Sequence, residues 1–129
     1  MKETASAKAS FLASILKAGE HYAGIALGED GEPDHHLILL AGEAESVNWA
    51  QAKDFAAKAG GELPTRREQS LLFANLKEQF QSCWYWSGEQ RASISDCAWV
   101  QYFGSGGQSS GGRKNGGCRA RAVRRLVIL

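Results

Sequence analysis

Three features of the sequence predict an α+β domain: helical periodicity over residues 47–82, short aromatic or β-branched runs on either side of it, and long irregular connections rich in Gly and Ser. Strands, then two helices, then strands is not the alternation that builds a doubly wound α/β sheet. There is no internal repeat.

At 129 residues the chain fits one domain, read as 21–129 with residues 1–20 as an N-terminal helix or leader. Phe11, Leu12, Ile15 and Leu16 share one helical face, so the segment serves either as a short docking helix, through which the protein assembles, or as a leader packed against the body. Its apolar run is shorter than a signal-peptide core and is closed by Lys17 and Glu20; neither an export signal nor a membrane span is expected.

The runs 21–27 and 35–40 flank a polar turn with Gly and Pro, a β-hairpin pattern. His35 and His36 are adjacent, so on a strand they point to opposite faces and do not make a shared metal site. Trp49, Ala52, Phe55, Ala56 and Ala59 recur at helical spacing, with Ser46 as the expected N-cap and Gly60-Gly61 as the stop. A second helix follows Pro64: Thr65 with Glu68 forms a capping box, Leu72, Leu76 and Phe80 share a face, and the helix should end near 79–82. Beyond Cys83, residues 84–87, 98–103 and 120–129 read as strands, whereas 104–118 reads as an irregular insert with almost nothing to bury.

Fifteen basic residues against fourteen acidic ones leave no global field to recruit nucleic acid or an anionic membrane. The three cysteines, Cys83, Cys97 and Cys118, form no C-x-x-C pair, which predicts free thiols. Gly104-Ser105-Gly106-Gly107 is not a phosphate cradle, because no helical pattern follows it. Arg119, Arg121, Arg124 and Arg125 are expected to bond loops and carboxylates such as Glu68 rather than nucleic acid.

Leu63-Pro64-Thr65-Arg66-Arg67-Glu68 opening a helix, Trp84-Tyr85-Trp86-Ser87-Gly88-Glu89, Ala98-Trp99, and the closing Arg119-Ala120-Arg121-Ala122-Val123-Arg124-Arg125 resemble the C-type-lectin-like domains of bacterial and prophage proteins related to the formylglycine-generating-enzyme fold. Within that family the succession is similar to the variable proteins of diversity-generating retroelements, in which a reverse transcriptase copies a template with errors at adenines. The resemblance implies a C-type-lectin-like fold whose C-terminal strands and loops display a ligand-binding face for a protein or glycan, with a variable region over about 90–118. It also implies a cytoplasmically made protein displayed on a phage particle. Adenine mutagenesis of AAC codons gives NNC codons, which never encode Lys, Gln, Glu, Met or Trp; between Gly104 and Cys118 only Gln108 and Lys114 lie outside that set.

The expected variable, ligand-contacting residues are Arg91, Ile94, Asp96, Cys97, Val100, Tyr102, Ser105, Gly107, Ser109, Ser110, Gly111, Arg113, Asn115, Gly116, Gly117 and Cys118, with Trp99 and Tyr102 as aromatic anchors. Trp84, Trp86, Trp99, Phe103, Val123 and Leu126 would form the buried or half-buried frame. Enzymes of the related fold use paired reactive cysteines, and no matching motif surrounds Cys97 or Cys118, so catalysis is not expected. Nor is a metal or other cofactor: Glu32-Pro33-Asp34 only superficially resembles a calcium motif and lies in the N-terminal hairpin. The alternative to a diversified binder is a structural virion component carrying a lectin-like domain of fixed sequence.

Overall fold

The computed structural model describes the backbone from residue 2 and side chains from residue 7 to the C-terminus. The chain is α+β, with three α-helices and two sheets. Helix α1 (Lys2–Ile15) is followed by the predicted hairpin of β1 (His21–Ala26) and β2 (His35–Leu39). Next come β3 (Ala44–Val47), α2 (Trp49–Lys58), α3 (Arg66–Leu76) and a single 3-10 turn, Lys77–Gln79. The chain ends in β4 (Trp84–Gln90), β5 (Cys97–Tyr102), β6 (Gln108–Arg113), β7 (Cys118–Ala120) and β8 (Val123–Val127). One sheet runs β1-β2-β8 and the other β3-β7-β4-β5-β6, so β6 is a free edge.

The larger sheet separates two apolar clusters, and strand parity assigns its residues between them. Trp86, Ala98, Val100 and Ala120 pack with Ala52 and Ala56 of α2. Tyr85 and Phe103 join Leu72 and Leu76 of α3 and Leu37, Leu39 and Val123 of the smaller sheet. The buried indole of Trp86 gives its N–H to Val47 O at 2.8 Å, so that donor is not stranded in the core.

Three carboxylates lock the elements together. Glu68, only 2% exposed, caps α3 by accepting from Thr65 N and takes the fork of Arg125 at 2.7 and 2.8 Å. Its Oε2 also meets His35 Nε2 at 2.7 Å. Burial alone would raise the Glu68 pKa, but the Arg125 guanidinium, the Thr65 amide and His35 outweigh it and hold the carboxyl below its ordinary value. Glu43 accepts from the Tyr85 hydroxyl at 2.6 Å and from Arg119 at 2.7 Å. Glu20 receives Arg124, which also donates to Ile15 O and so ties the end of α1 to β8. The C-terminal arginines are thus structural, and Arg125 pairs with Glu68 as expected from the sequence.

His35 and His36 do point to opposite faces: His36 stands against Tyr22, with 2.8 Å between the hydroxyl and Nδ1, and beneath Phe11. Other expectations need correction. The N-cap of α2 is Asn48, not Ser46, because Gln51 stands at the third helical position and completes a capping box while Ser46 belongs to β3. Neither β3 nor β6 is evident in the sequence. Trp84 and Leu126 do not serve as buried frame; they are 42% and 37% exposed, the former at the first position of β4 and the latter on the β8 edge.

Candidate functional site

The expected variable residues lie along β5, β6 and the loops joining them to β4 and β7. Ile94, Asp96, Ser105, Gly107, Gly111, Arg113, Asn115 and Gly117 are exposed, while Arg91, Cys97, Tyr102, Ser109, Ser110, Gly116 and Cys118 are half-buried. Val100 is the exception. At 5% exposure it packs under Trp86, because a strand inside the sheet is covered on both faces, and it is removed from the ligand-contacting set. Cys118 also leans on that core, and burial raises its thiol pKa. All three cysteines are free.

The insert 104–118 is more ordered than its composition suggests. Two residues of β5, from Ala98 to Val100, face a step of three on β6, from Gly112 back to Ser109, so the edge carries a β-bulge. Its Ser and Gly residues have little strand preference of their own, and the hairpin is held by a chain of side chains that bonds it to α3. Gln101, fully buried, donates to Gln69 O at 2.9 Å; Gln108 donates to Gln101 Oε1 and to Arg66 O, both at 2.8 Å. Arg66 returns a bond to Gln108 Oε1 and lays its guanidinium 3.4 Å from the centre of the Trp99 ring. Trp99 is therefore clamped and not an open anchor, whereas Tyr102 remains half-exposed beside Trp84, their rings 5.3 Å apart.

At the opposite end of the hairpin, Lys114 Nζ donates to Gln90 Oε1 and lies 4.6 Å from the Trp49 ring centre, and Lys114 O accepts from Trp49 N. Gln90, Trp99, Gln101, Gln108 and Lys114 are all the residues of 90–118 that an NNC codon cannot encode, and each of the five makes one of these anchoring contacts.

The glycines divide in this way only in part, since a Cβ at Gly117, an expected variable position, would lie 2.6 Å from Ser46 Oγ and one at Gly116 3.2 Å from Arg113 O. A Cβ at Gly112 would lie 2.8 Å from both Ala98 O and Val100 Cγ1, and one at Gly106, whose φ is +83°, would strike the Phe73 ring at 2.9 Å. At Gly107 and Gly111 the nearest neighbour is a serine hydroxyl at 3.5 and 3.4 Å, ordinary contact. Gly107 and Gly111 are among the expected variable positions; Gly106 and Gly112 are not.

A concavity lies elsewhere. An open cleft of about 900 Å³ runs between the β1–β2 turn and the start of α3, past Leu27, His35, Arg67 and Glu68, and touches the 90–118 region only at Gln108. Its charges are largely spent on one another, Arg67 on Glu29 and Arg125 on Glu68. No group of three or more metal-ligating side chains stands close enough among the described residues to hold a metal ion. No helix among the described residues is long and apolar enough to cross a membrane. No protein-family model and no curated protein matches the chain.

Proposed function

We propose that the chain is a ligand-binding protein, a C-type-lectin-like scaffold that presents a diversified surface from β5, β6 and their flanking loops, as in the variable proteins of diversity-generating retroelements. The observation that carries the reading is the division within 90–118. The residue types that adenine mutagenesis of AAC cannot write are the ones that pin the hairpin, through Gln69, Arg66 and Trp49, to the rest of the fold. Of the other positions, Ala98, Val100 and Phe103 lie in the core and Cys118 leans on it, while the remaining expected variable residues are exposed or half-buried on a backbone held by others. Such an arrangement lets side chains change while the fold stays, which is how a rigid frame carries variable recognition. In this sequence the face is mostly Ser and Gly, adaptable but poor in contact area, so a single copy binds weakly and repeated display supplies avidity.

The test is a library with NNC codons at Ser109, Ser110, Gly111, Arg113 and Asn115, compared with one randomised at Gln101, Gln108 and Gly112. The first should stay folded in most members and yield binders to unrelated protein or glycan targets; the second should be largely unfolded. Equal tolerance in the two libraries would reject the reading.

A structural virion component is the second reading, favoured by α1. Residues 7–10 of that helix are exposed, and Phe11, Ile25 and Leu126 leave apolar surface around its docked end. Loss of particle assembly on deleting residues 1–20, with no effect of Ser109 or Arg113 substitutions, would select it.

A further inference from the structure

Five of the described cations of this protein are paired with carboxylates and nine, Lys8, Lys17, Lys58, Arg66 and Lys77 among them, are not. Arg67, Arg119, Arg121, Arg124 and Arg125 each have a carboxylate within 4.0 Å. Among the described residues no carboxylate lies within that distance of Lys53, Arg91, Arg113 or Lys114. These four lie on adjoining segments of the fold. Lys53 and Lys114 place their ammonium groups 3.9 and 4.6 Å from the centre of one ring, that of Trp49, whose indole N–H is fixed on Ser87 O. Arg113 precedes Lys114 and faces Cys97 across the β5–β6 ladder, and Arg91 N bonds Cys97 O. The acidic residues on the same segments, Asp54 and Asp96, are exposed and pair with none of them.

We infer that this corner is a subsite for an acidic polypeptide segment, with Lys53 and Lys114 as its fixed part and Arg91 and Arg113 as its variable part. The inference rests on the proposed function for the division into fixed and variable, and on the charge geometry alone for the ligand. Unpaired cations gathered at one corner of a nearly neutral protein attract an anion locally, without a global field. Arginine forks match carboxylates two bonds at a time. Sugars and nucleobases are commonly held by stacking on an open aromatic face, but here the Trp49 ring already carries two lysines. The adjoining β6 edge offers backbone groups that an extended peptide can meet and that need no particular side chain.

The probe is a ten-residue (Glu-Ser)5 peptide carrying fluorescein, titrated with the full chain at low salt and followed by anisotropy, with (Lys-Ser)5 and a heparin octasaccharide as comparators. Binding of the glutamate peptide alone is expected. It should weaken about fivefold or more in the Lys53→Gln/Lys114→Gln variant, by a similar factor in Arg91→Ser/Arg113→Ser, and strongly with added salt. Circular dichroism checks that each variant is folded, and Lys53→Gln alone, on an exposed helix turn, keeps the test usable if Lys114 proves necessary for folding. Absence of glutamate-peptide binding, or octasaccharide binding tenfold tighter than the peptide's, would overturn the assignment. Peptide binding by a protein whose gene is not diversified would instead leave the subsite standing and remove the retroelement reading.

Discussion

Gln108 donates its side-chain amide to Gln101 Oε1 at 2.8 Å, joining the edge strand β6 to a buried side chain of β5. The link runs on to Gln69 O and Arg66 O, so a strand made of Ser and Gly takes its position from α3 rather than from its own preferences. Replacing Gln101 by Leu leaves Gln69 O and one Gln108 donor without these bonds. Urea unfolding should show a loss of about 1–3 kcal/mol, whereas Ser109→Asn should stay within about 0.5 kcal/mol of the parent.

The two neighbouring glycines of β6 should behave oppositely. Gly112→Ala forces a methyl against Ala98 O and Val100, an overpacking that costs about 1–3 kcal/mol. Gly111→Ala meets only ordinary contact and should leave the midpoint of thermal unfolding nearly unchanged. A paired melting experiment on the two variants checks both statements.

Acid should weaken the fold through Glu68. Its folded pKa lies below the ordinary value of 4.5, so its contribution is fully present above about that pH and is lost as the pH falls through the lower, folded value. The parent's urea midpoint should therefore decline below pH 4.5 more steeply than that of Glu68→Gln, which has no proton to gain. Glu68→Ala, which strands Arg125 and His35, should cost about 3–5 kcal/mol at neutral pH.

Arg124 reaches both Glu20 and Ile15 O, and with it the end of α1 is tied to β8. In Arg124→Ala, amide hydrogen exchange should accelerate across 7–16 while β4 and β5 keep the protection of the parent. Equal acceleration in the core strands would mean that α1 is part of the cooperative unit.

What was legible in the sequence is what local chemistry decides. The Thr65/Glu68 capping box marks α3 because cap and partner are three residues apart, and the N-terminal hairpin announces itself by apolar runs around a polar turn. Asn48 and Ser46 are both good caps; Gln51, three residues after Asn48, and the pairing of β3 with β7, which draws Ser46 into a strand, decide between them. Strand β6 was hidden because its pairing depends on Gln101, Gln108 and Arg66, distant residues whose meeting no local preference encodes. For the candidate site, burial was not legible in residue type: Val100 belongs to the core by strand parity, and Trp99 is covered by an arginine from α3.

The central claim is that the residues projecting from β5, β6 and their loops are rewritten while those pinning the hairpin are kept. Deep sequencing of the gene across a propagated population tests it most directly. The account predicts non-synonymous changes concentrated in codons for 90–118 and sparing Gln90, Trp99, Gln101, Gln108 and Lys114. A spectrum spread evenly along the gene, or changes as frequent at Gln101 and Gln108 as at Ser109 and Arg113, would contradict it.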